Sequence, residues 1–395
     1  MLERERHLKK RVLVIDATTP TPNEDAGSVL TVTHMRLYQE MGYKVYFIPL
    51  HNFLYQRKAT DELQRMGVEC AYYPYEPSLE QFLRRYGRYL DVVQVFRVGV
   101  ADEALDTLRR FAPQAPVIFH NVDMHYLRME RQAAIENDPV LLDAAREMKV
   151  RELALIDAVD CTIVLSDVEE NILTVETPHA EVVVFPYMTP VMGTDVGFAG
   201  RRDILFLGGY RHPPNVDSAI FLAKEVWPHV RTQLPDACLL LVGAHAPQEV
   251  EDLAADDIIV AGQVDDLRPC FDRSRVFAAA IRYGAGIKGK VATAMSYGVP
   301  VVATTIAAEG MYLVDGRDVR IADDSEHIAR AIVELYKDPV EWTRFSTNGL
   351  AFVAENNSVD MGRRALTEII HRAALRHARR AAENPILREI LATGA

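Results

Sequence analysis

The stretch from Phe277 to Gly310, FAAAIRYGAGIKGKVATAMSYGVPVVATTIAAEG, joins a glycine-rich, lysine-bearing loop to a helix and then to a buried strand. Phe277 to Ile281 reads as a strand, Lys288 to Tyr297 as a helix, and Val299 to Ala303 as a second strand. Gly284, Gly286 and Gly289 permit close backbone approach between them. Free N–H groups at the helix start, with the positive end of its dipole, favour a phosphate. Lys288 and Lys290 add charge, Arg282 adds a planar fork, and Glu309 falls just past the next strand, within reach of a polar ligand group. The inventory predicts a nucleotide diphosphate site; the plainer alternative is a strand–loop–helix corner with solvated lysines.

Outward from this stretch the pattern repeats. Strands are expected near Asp203–Leu207, Cys238–Val242, Ile258–Val260, Val276–Ile281, Pro300–Ala303 and Val319–Ile321, with helices between. The N-terminal half alternates in the same way, with strands at Arg11–Asp16, Lys44–Leu50, Asp91–Phe96, Pro116–His120, Cys161–Ser166 and Glu181–Phe185. Gly27 to Met41 reads as a helix stopped by Gly42, and Arg128 to Val159 as a helical pair broken near Asn137-Asp138-Pro139. Parallel neighbours need crossovers, so each half is an α/β doubly wound sheet. Pro186 to Arg202, with two prolines, three glycines and no helical period, is the linker. Two such domains facing each other make a cleft at the carboxyl ends of their strands.

Ala294-Met295-Ser296-Tyr297-Gly298-Val299-Pro300-Val301-Val302 resembles the donor-site signature of the family 4 glycosyltransferases. Phe206 to Gly243, FLGGYRHPPNVDSAIFLAKEVWPHVRTQLPDACLLLVG, is similar to the first strand–helix–strand unit of that family's nucleotide domain. The two blocks run through most of Asp203 to Glu309, and a weaker match continues over the N-terminal half. The resemblance implies a retaining enzyme of the GT-B fold, with two Rossmann-like domains across a cleft. Its domains would be an acceptor-side domain at 1–188, a nucleotide-sugar donor domain at 200–355, and a C-terminal helical segment at 356–395 packing back on the first. Many members carry two glutamates around this helix, which the resemblance places at Ala285 and Thr293; neither is acidic here. The chain looks closer to a branch with Arg-Tyr-Gly-Ala-Gly-x-Lys-x-Lys, which is Arg282 to Lys290.

The expected donor-binding residues are Gly27, Gly209, Arg211, Arg282, Gly286, Lys288, Lys290, Thr293 and Glu309. Gly27 ends the loop Asp16 to Gly27 at a helix start, where related transferases have a glycine-containing loop near donor and acceptor; it could equally relieve crowding there. Arg211 follows Gly208-Gly209 and precedes a helix opened by Pro213-Pro214, in a region where the family holds the departing diphosphate. On the other domain, His120-Asn121-Val122-Asp123-Met124-His125 follows a strand end. Similar transferases bring a histidine or aspartate there to the transferred sugar, which makes His120 the preferred match and Asp123 and His125 its competitors. Asp123 also reads as a cap for the next helix.

The first turn, Asp16 to Gly27, lacks GxGxxG and Gly208-Gly209-Tyr210 does not supply it, which argues against a hydride-transferring dinucleotide enzyme. No DxD occurs, so no metal cofactor is expected and the diphosphate charge falls to Arg211, Arg282, Lys288, Lys290 and helix N–H groups. A formal charge of −12 argues against a nucleic-acid partner. Cys70, Cys161, Cys238 and Cys270 form no CxxC pair and read as thiols in a reducing compartment rather than disulfides or a zinc site. The charged start MLERERHLKKR is not a secretion signal, and no apolar run is long enough to span a bilayer, so a cytoplasmic protein is expected. Met361 to Ala382 is an amphipathic, arginine-rich helix, read either as a closing helix or as a peripheral contact with an anionic membrane that would suit a lipid-linked acceptor. The reaction implied by the resemblance is sugar transfer from a nucleotide-diphosphate sugar to a hydroxyl of a glycan, lipid-linked or protein acceptor, in surface polysaccharide or glycoconjugate synthesis. The alternatives are a nucleotide-sugar 2-epimerase of the same fold and a non-catalytic nucleotide-sugar-binding protein.

Overall fold

The structure, a computed structural model, describes residues 10–383. Of the charged start MLERERHLKKR only Lys10 and Arg11 fall within the described residues, and residues 384–395 of the expected C-terminal segment lie outside them.

The N-terminal sheet contains β1 (Lys10–Asp16), β2 (Tyr43–Pro49), β3 (Glu69–Cys70), β4 (Val92–Phe96), β5 (Val117–His120), β6 (Cys161–Val164) and β7 (Val182–Val184). They run parallel in the order β3-β2-β1-β4-β5-β6-β7. The second sheet contains β8 (Asp203–Leu207), β9 (Leu239–Val242), β10 (Ile258–Gly262), β11 (Ser274–Ala279), β12 (Val301–Ala303) and β13 (Arg320–Ile321). These too are parallel, in the order β10-β9-β8-β11-β12-β13. Each order reverses once, between β1 and β4 and between β8 and β11, and such a reversal opens a crevice at the strands' carboxyl ends.

Helices cover both faces, so the central strands are buried throughout: Val12 to Ile15, Val92 to Phe96 and Val276 to Ala279 are apolar apart from Gln94, which is as fully buried as its neighbours. The second domain has a core of its own. The first splits into one cluster on each face of its sheet, and Leu366, Ile369 and Ala373 of the helix Val359–Glu383 belong to the second of these clusters. That helix therefore returns from the second domain to close the first. Its arginines are largely committed to the domain it covers: Arg372 pairs with Glu181 and Glu368, Arg376 with Asp157, and Arg380 donates to the carbonyls of Ala158 and Asp157. His377 and Arg109 meet on buried Asp160, whose carboxyl burial would raise but which hydrogen bonds from these two groups hold at about 2. Among the described residues no helix is long and apolar enough to cross a membrane.

Two strand expectations need correction. The two-residue β3 was not anticipated, and β11 spans Ser274–Ala279 rather than Val276–Ile281, because Ser274 already pairs with Asp203 of β8. All four cysteines are free thiols.

Candidate functional site

The two domains touch at zero clearance where their strand ends face each other. A Cβ on Gly209 would lie 2.5 Å from the Glu24 carbonyl, one on Gly286 3.3 Å from the Val122 carbonyl, and one on Gly310 2.4 Å from Cβ of Ser166. Gly286 and Gly310 also have positive φ, at 67° and 72°, which favours glycine. Polar interactions reinforce these contacts. Glu24 lies 3.0 Å from His245 Nε2 and pairs with Arg211 at 3.7 Å. Arg131, on the helix His125–Glu136, grips both oxygens of Glu309 at 2.7 and 2.8 Å and donates to the Gly284 carbonyl at 2.6 Å.

Inside this contact sit Lys288 and Lys290, at the start of the helix Gly289–Ser296. The Lys288 ammonium donates to the carbonyls of Gly286 at 2.7 Å and Ala285 at 3.2 Å. The Lys290 ammonium donates to Asn215 Oδ1, lies 4.7 Å from the Phe206 ring centre and fills the space where Gly208 lacks a side chain. Among the described residues neither is paired with a carboxylate within 4 Å. Burial lowers the Lys288 ammonium to about 8 against the pull of Glu309 and Glu169. Burial, with Lys288 adding, lowers Lys290 to about 7. Two desolvated cations at a helix N-terminus, supplied with acceptors too weak to neutralise them, form an anion cradle.

Facing it from the first domain is Asp123, 18% exposed, which takes a hydrogen bond from Arg128 Nε at 2.7 Å. Burial alone would raise its carboxyl, but His125, Arg128 and His212 together hold it at about 2. His212 opens the helix Pro213–Phe221 of the other domain, so its influence on Asp123 acts across the cleft. The expected role of Asp123 as a helix cap is not what the structure shows. Glu152 takes the N–H groups of His125 and Tyr126 at 3.2 and 3.0 Å, and Asp123 is left to Arg128. His125 is half-buried, with Nδ1 3.1 Å from the Asp123 carbonyl. Beside Asp123, Glu169 is buried; its Oε2 accepts from the Leu165 N–H at 3.1 Å, and its Oε1, 3.7 Å from the Gly286 Cβ position, has no partner. Burial raises its carboxyl to about 7, against the Leu165 N–H and Lys288.

Several expected residues stand elsewhere. His120 is 0% exposed, stacked on Phe96 at 4.9 Å and edge-on to His34 at 5.1 Å. The expectation that it touches the sugar is corrected: alternation along β5 turns Phe119 to one face of the sheet and His120 to the core on the other. Arg282 is held two-pronged by Asp217 of the helix Pro213–Phe221, at 2.9 Å from Nε, and lies over Phe221. A carboxylate within its own domain thus occupies the fork expected on phosphate. Arg211 is 74% exposed and reaches Glu24 rather than the cradle. Gly27 makes room for the Arg97 guanidinium, 2.7 Å from its Cβ position, which ties Asp16 to the helix cap Asp25. Thr293 turns its hydroxyl to the Gly289 carbonyl at 2.9 Å. Gly209, Gly286, Lys288, Lys290 and Glu309 do line the cleft. Sequence reading missed Arg128, Arg131, Glu169, His212 and Asn215. Only Asn215 carried a signal, through its position just after Pro213-Pro214.

Residues 201–338 match the family model described as glycosyl transferases group 1. An uncharacterized 44.6 kDa protein in the cps region of Klebsiella pneumoniae is 27% identical over 163 residues, covering 39% of this chain and 42% of that protein, less than half of either. Among solved structures, sucrose-phosphate synthase from Thermosynechococcus elongatus superposes with a TM-score of 0.72 at 14% identity, over 92% of this chain and 98% of its own. Anabaena HepE in complex with UDP and glucose gives 0.69 at 13% identity, over 92% and 100%. A UDP-forming trehalose-phosphate synthase from Burkholderia xenovorans gives 0.63 at 12%, over 93% and 100%. At these identities the likeness is one of fold.

Proposed function

The chain carries a group 1 glycosyltransferase domain within a GT-B fold, and from that premise we propose that it transfers a sugar from a nucleotide-diphosphate sugar to an acceptor hydroxyl with retention at the anomeric carbon. The observation that carries this reading is the pair Lys288 and Lys290: one buried and one half-buried ammonium with no carboxylate partner among the described residues, at a helix start beside Gly208-Gly209. A diphosphate is a ligand whose charge such a pair meets. It supplies the charge-assisted bonds that backbone carbonyls and Asn215 replace poorly.

With the diphosphate held there, the sugar extends toward Asp123, the carboxylate that faces the cradle across the cleft. Asp123 stays ionised, so it accepts a sugar hydroxyl and stabilises positive charge growing on the ring. The departing phosphate oxygen takes the acceptor proton in a front-side substitution, and positioning with preorganised charge lowers the barrier. Lys288 and Lys290 carry the leaving charge without a metal. Arg282 and Arg211 drop out of the diphosphate set, since one is bound to Asp217 and the other is exposed. The relative from a cps region supports an acceptor that is a growing surface polysaccharide, and contact with a membrane-held acceptor would be peripheral.

Calorimetry with UDP, GDP and dTDP on wild type and on Lys288→Ala and Lys290→Ala tests the site. Each variant should lose roughly tenfold or more in affinity for the cognate nucleotide, the loss of a charge-assisted bond worth about 1.5 to 3 kcal/mol. Unchanged affinity in both would remove the donor from this loop. Anomeric analysis of the product with acceptor present, and of donor alone, separates transfer from 2-epimerisation.

A further inference from the structure

The turn that delivers Asp123 to the cleft is strained, and the group that holds it is His120. Val122 has φ of +69°, a region that suits glycine and opposes a β-branched residue. The Asp123 N–H closes on the Asn121 carbonyl at 2.9 Å, so Asn121-Val122-Asp123 is a γ-turn of the rarer, positive-φ kind. Nothing in the Val122 side chain favours that conformation. What favours it is the Val122 N–H, which donates to His120 Nδ1 at 3.1 Å.

The imidazole is itself clamped. Its backbone carbonyl accepts from the Arg97 N–H at 3.0 Å, its ring stacks on Phe96, and His34 stands across its edge. Burial, with His34 and Arg97 adding, keeps the ring neutral. Accepting at Nδ1 puts the single ring proton on Nε2. The turn in turn sets two things in the cleft: the Val122 carbonyl meets the Gly286 loop, and Cβ of Asp123 lies 3.7 Å from the Gly286 Cβ position.

We propose that His120 is a positioning residue: from inside the core its Nδ1 accepts the Val122 N–H, locks the strained γ-turn, and thereby aims Asp123 at the donor sugar. This rests on the glycosyltransferase reading for its last step only. The requirement is an acceptor at the Nδ1 position, not an imidazole. Asparagine places an amide oxygen near that position, whereas leucine fills the volume with no acceptor. Glycine at 122 adopts positive φ without help and should make the lock dispensable.

The test is a set of four proteins assayed for turnover, nucleotide diphosphate affinity and amide exchange. His120→Leu should lose about tenfold to a hundredfold in kcat while nucleotide affinity stays within about twofold, the split expected when a transition-state contact is misaimed. His120→Asn should stay within about threefold of wild type. His120→Leu with Val122→Gly should recover most of the loss. Should His120→Leu fail to fold, the Val122 amide in wild type and His120→Asn still decides: it should be slow to exchange in both. A His120→Asn variant as impaired as His120→Leu, no rescue by Val122→Gly, or a fast-exchanging Val122 amide in wild type would each overturn the proposal. If wild type transfers no sugar, the transferase reading fails on its own, and the exchange of the Val122 amide still reads the lock.

Discussion

Lys288 and Lys290 are the residues at which charge, burial and ligand meet. Their ammoniums sit low in the free protein, at about 8 and about 7, because burial disfavours the charged form. A bound diphosphate restores the opposite charge and raises both, so binding between pH 7 and 9 should take up protons. Affinity should fall as pH rises through and above that window, since deprotonated lysines must be recharged. Calorimetry in buffers of different ionisation enthalpy reads the uptake directly; a buffer-independent heat at pH 8 would contradict it. These lysines were legible in the sequence because they stand next to glycines at a helix start. His120 was misread because β5 is buried on both sides, so Val-Ile-Phe-His shows no alternation to tell which face its last residue takes. Arg128 and Arg131 left no trace because their partners Asp123 and Glu309 lie on a turn and on the other domain.

At the scale of elements, the returning helix Val359–Glu383 was read from an apolar stripe and a row of arginines, and the stripe proved the more informative signal. Leu366 and Ile369 are fully buried against the first domain. Leu366→Ala should cost about 2 to 5 kcal/mol, measured by urea unfolding, from lost burial and the cavity left behind. A loss under about 0.5 kcal/mol, the usual surface effect, would mean the helix does not hold this position in solution. The arginines are decided by what faces them, which spacing cannot supply. Other elements were plain because their punctuation is local: Asn137 takes φ of 52° to end one helix, and Asp138 caps the next with Pro139 behind it. The two-residue β3 is too short to leave any periodic mark.

For the whole molecule, the clasp of Arg131 on Glu309 and on the Gly284 carbonyl favours the closed arrangement before any donor arrives. A two-pronged, half-buried pair worth about 1 to 2 kcal/mol would shift an open–closed balance roughly five- to thirtyfold. Arg131→Ala should therefore enlarge the radius of gyration of the donor-free protein in small-angle scattering, and nucleotide should bring it back. An unchanged radius would show that the glycine contacts alone keep the domains together. The chain crosses between the domains twice, once at 186–202 and again at 357–358. The crossings lie side by side: Asn357 Nδ2 donates to the Tyr187 carbonyl, and Met188 occupies the space above Gly362. Two tethers at one edge behave as the two leaves of a door hinge. They leave the domains one axis of swing and suppress twist and sliding, so Lys288 and Asp123 come together along the same arc at each closing.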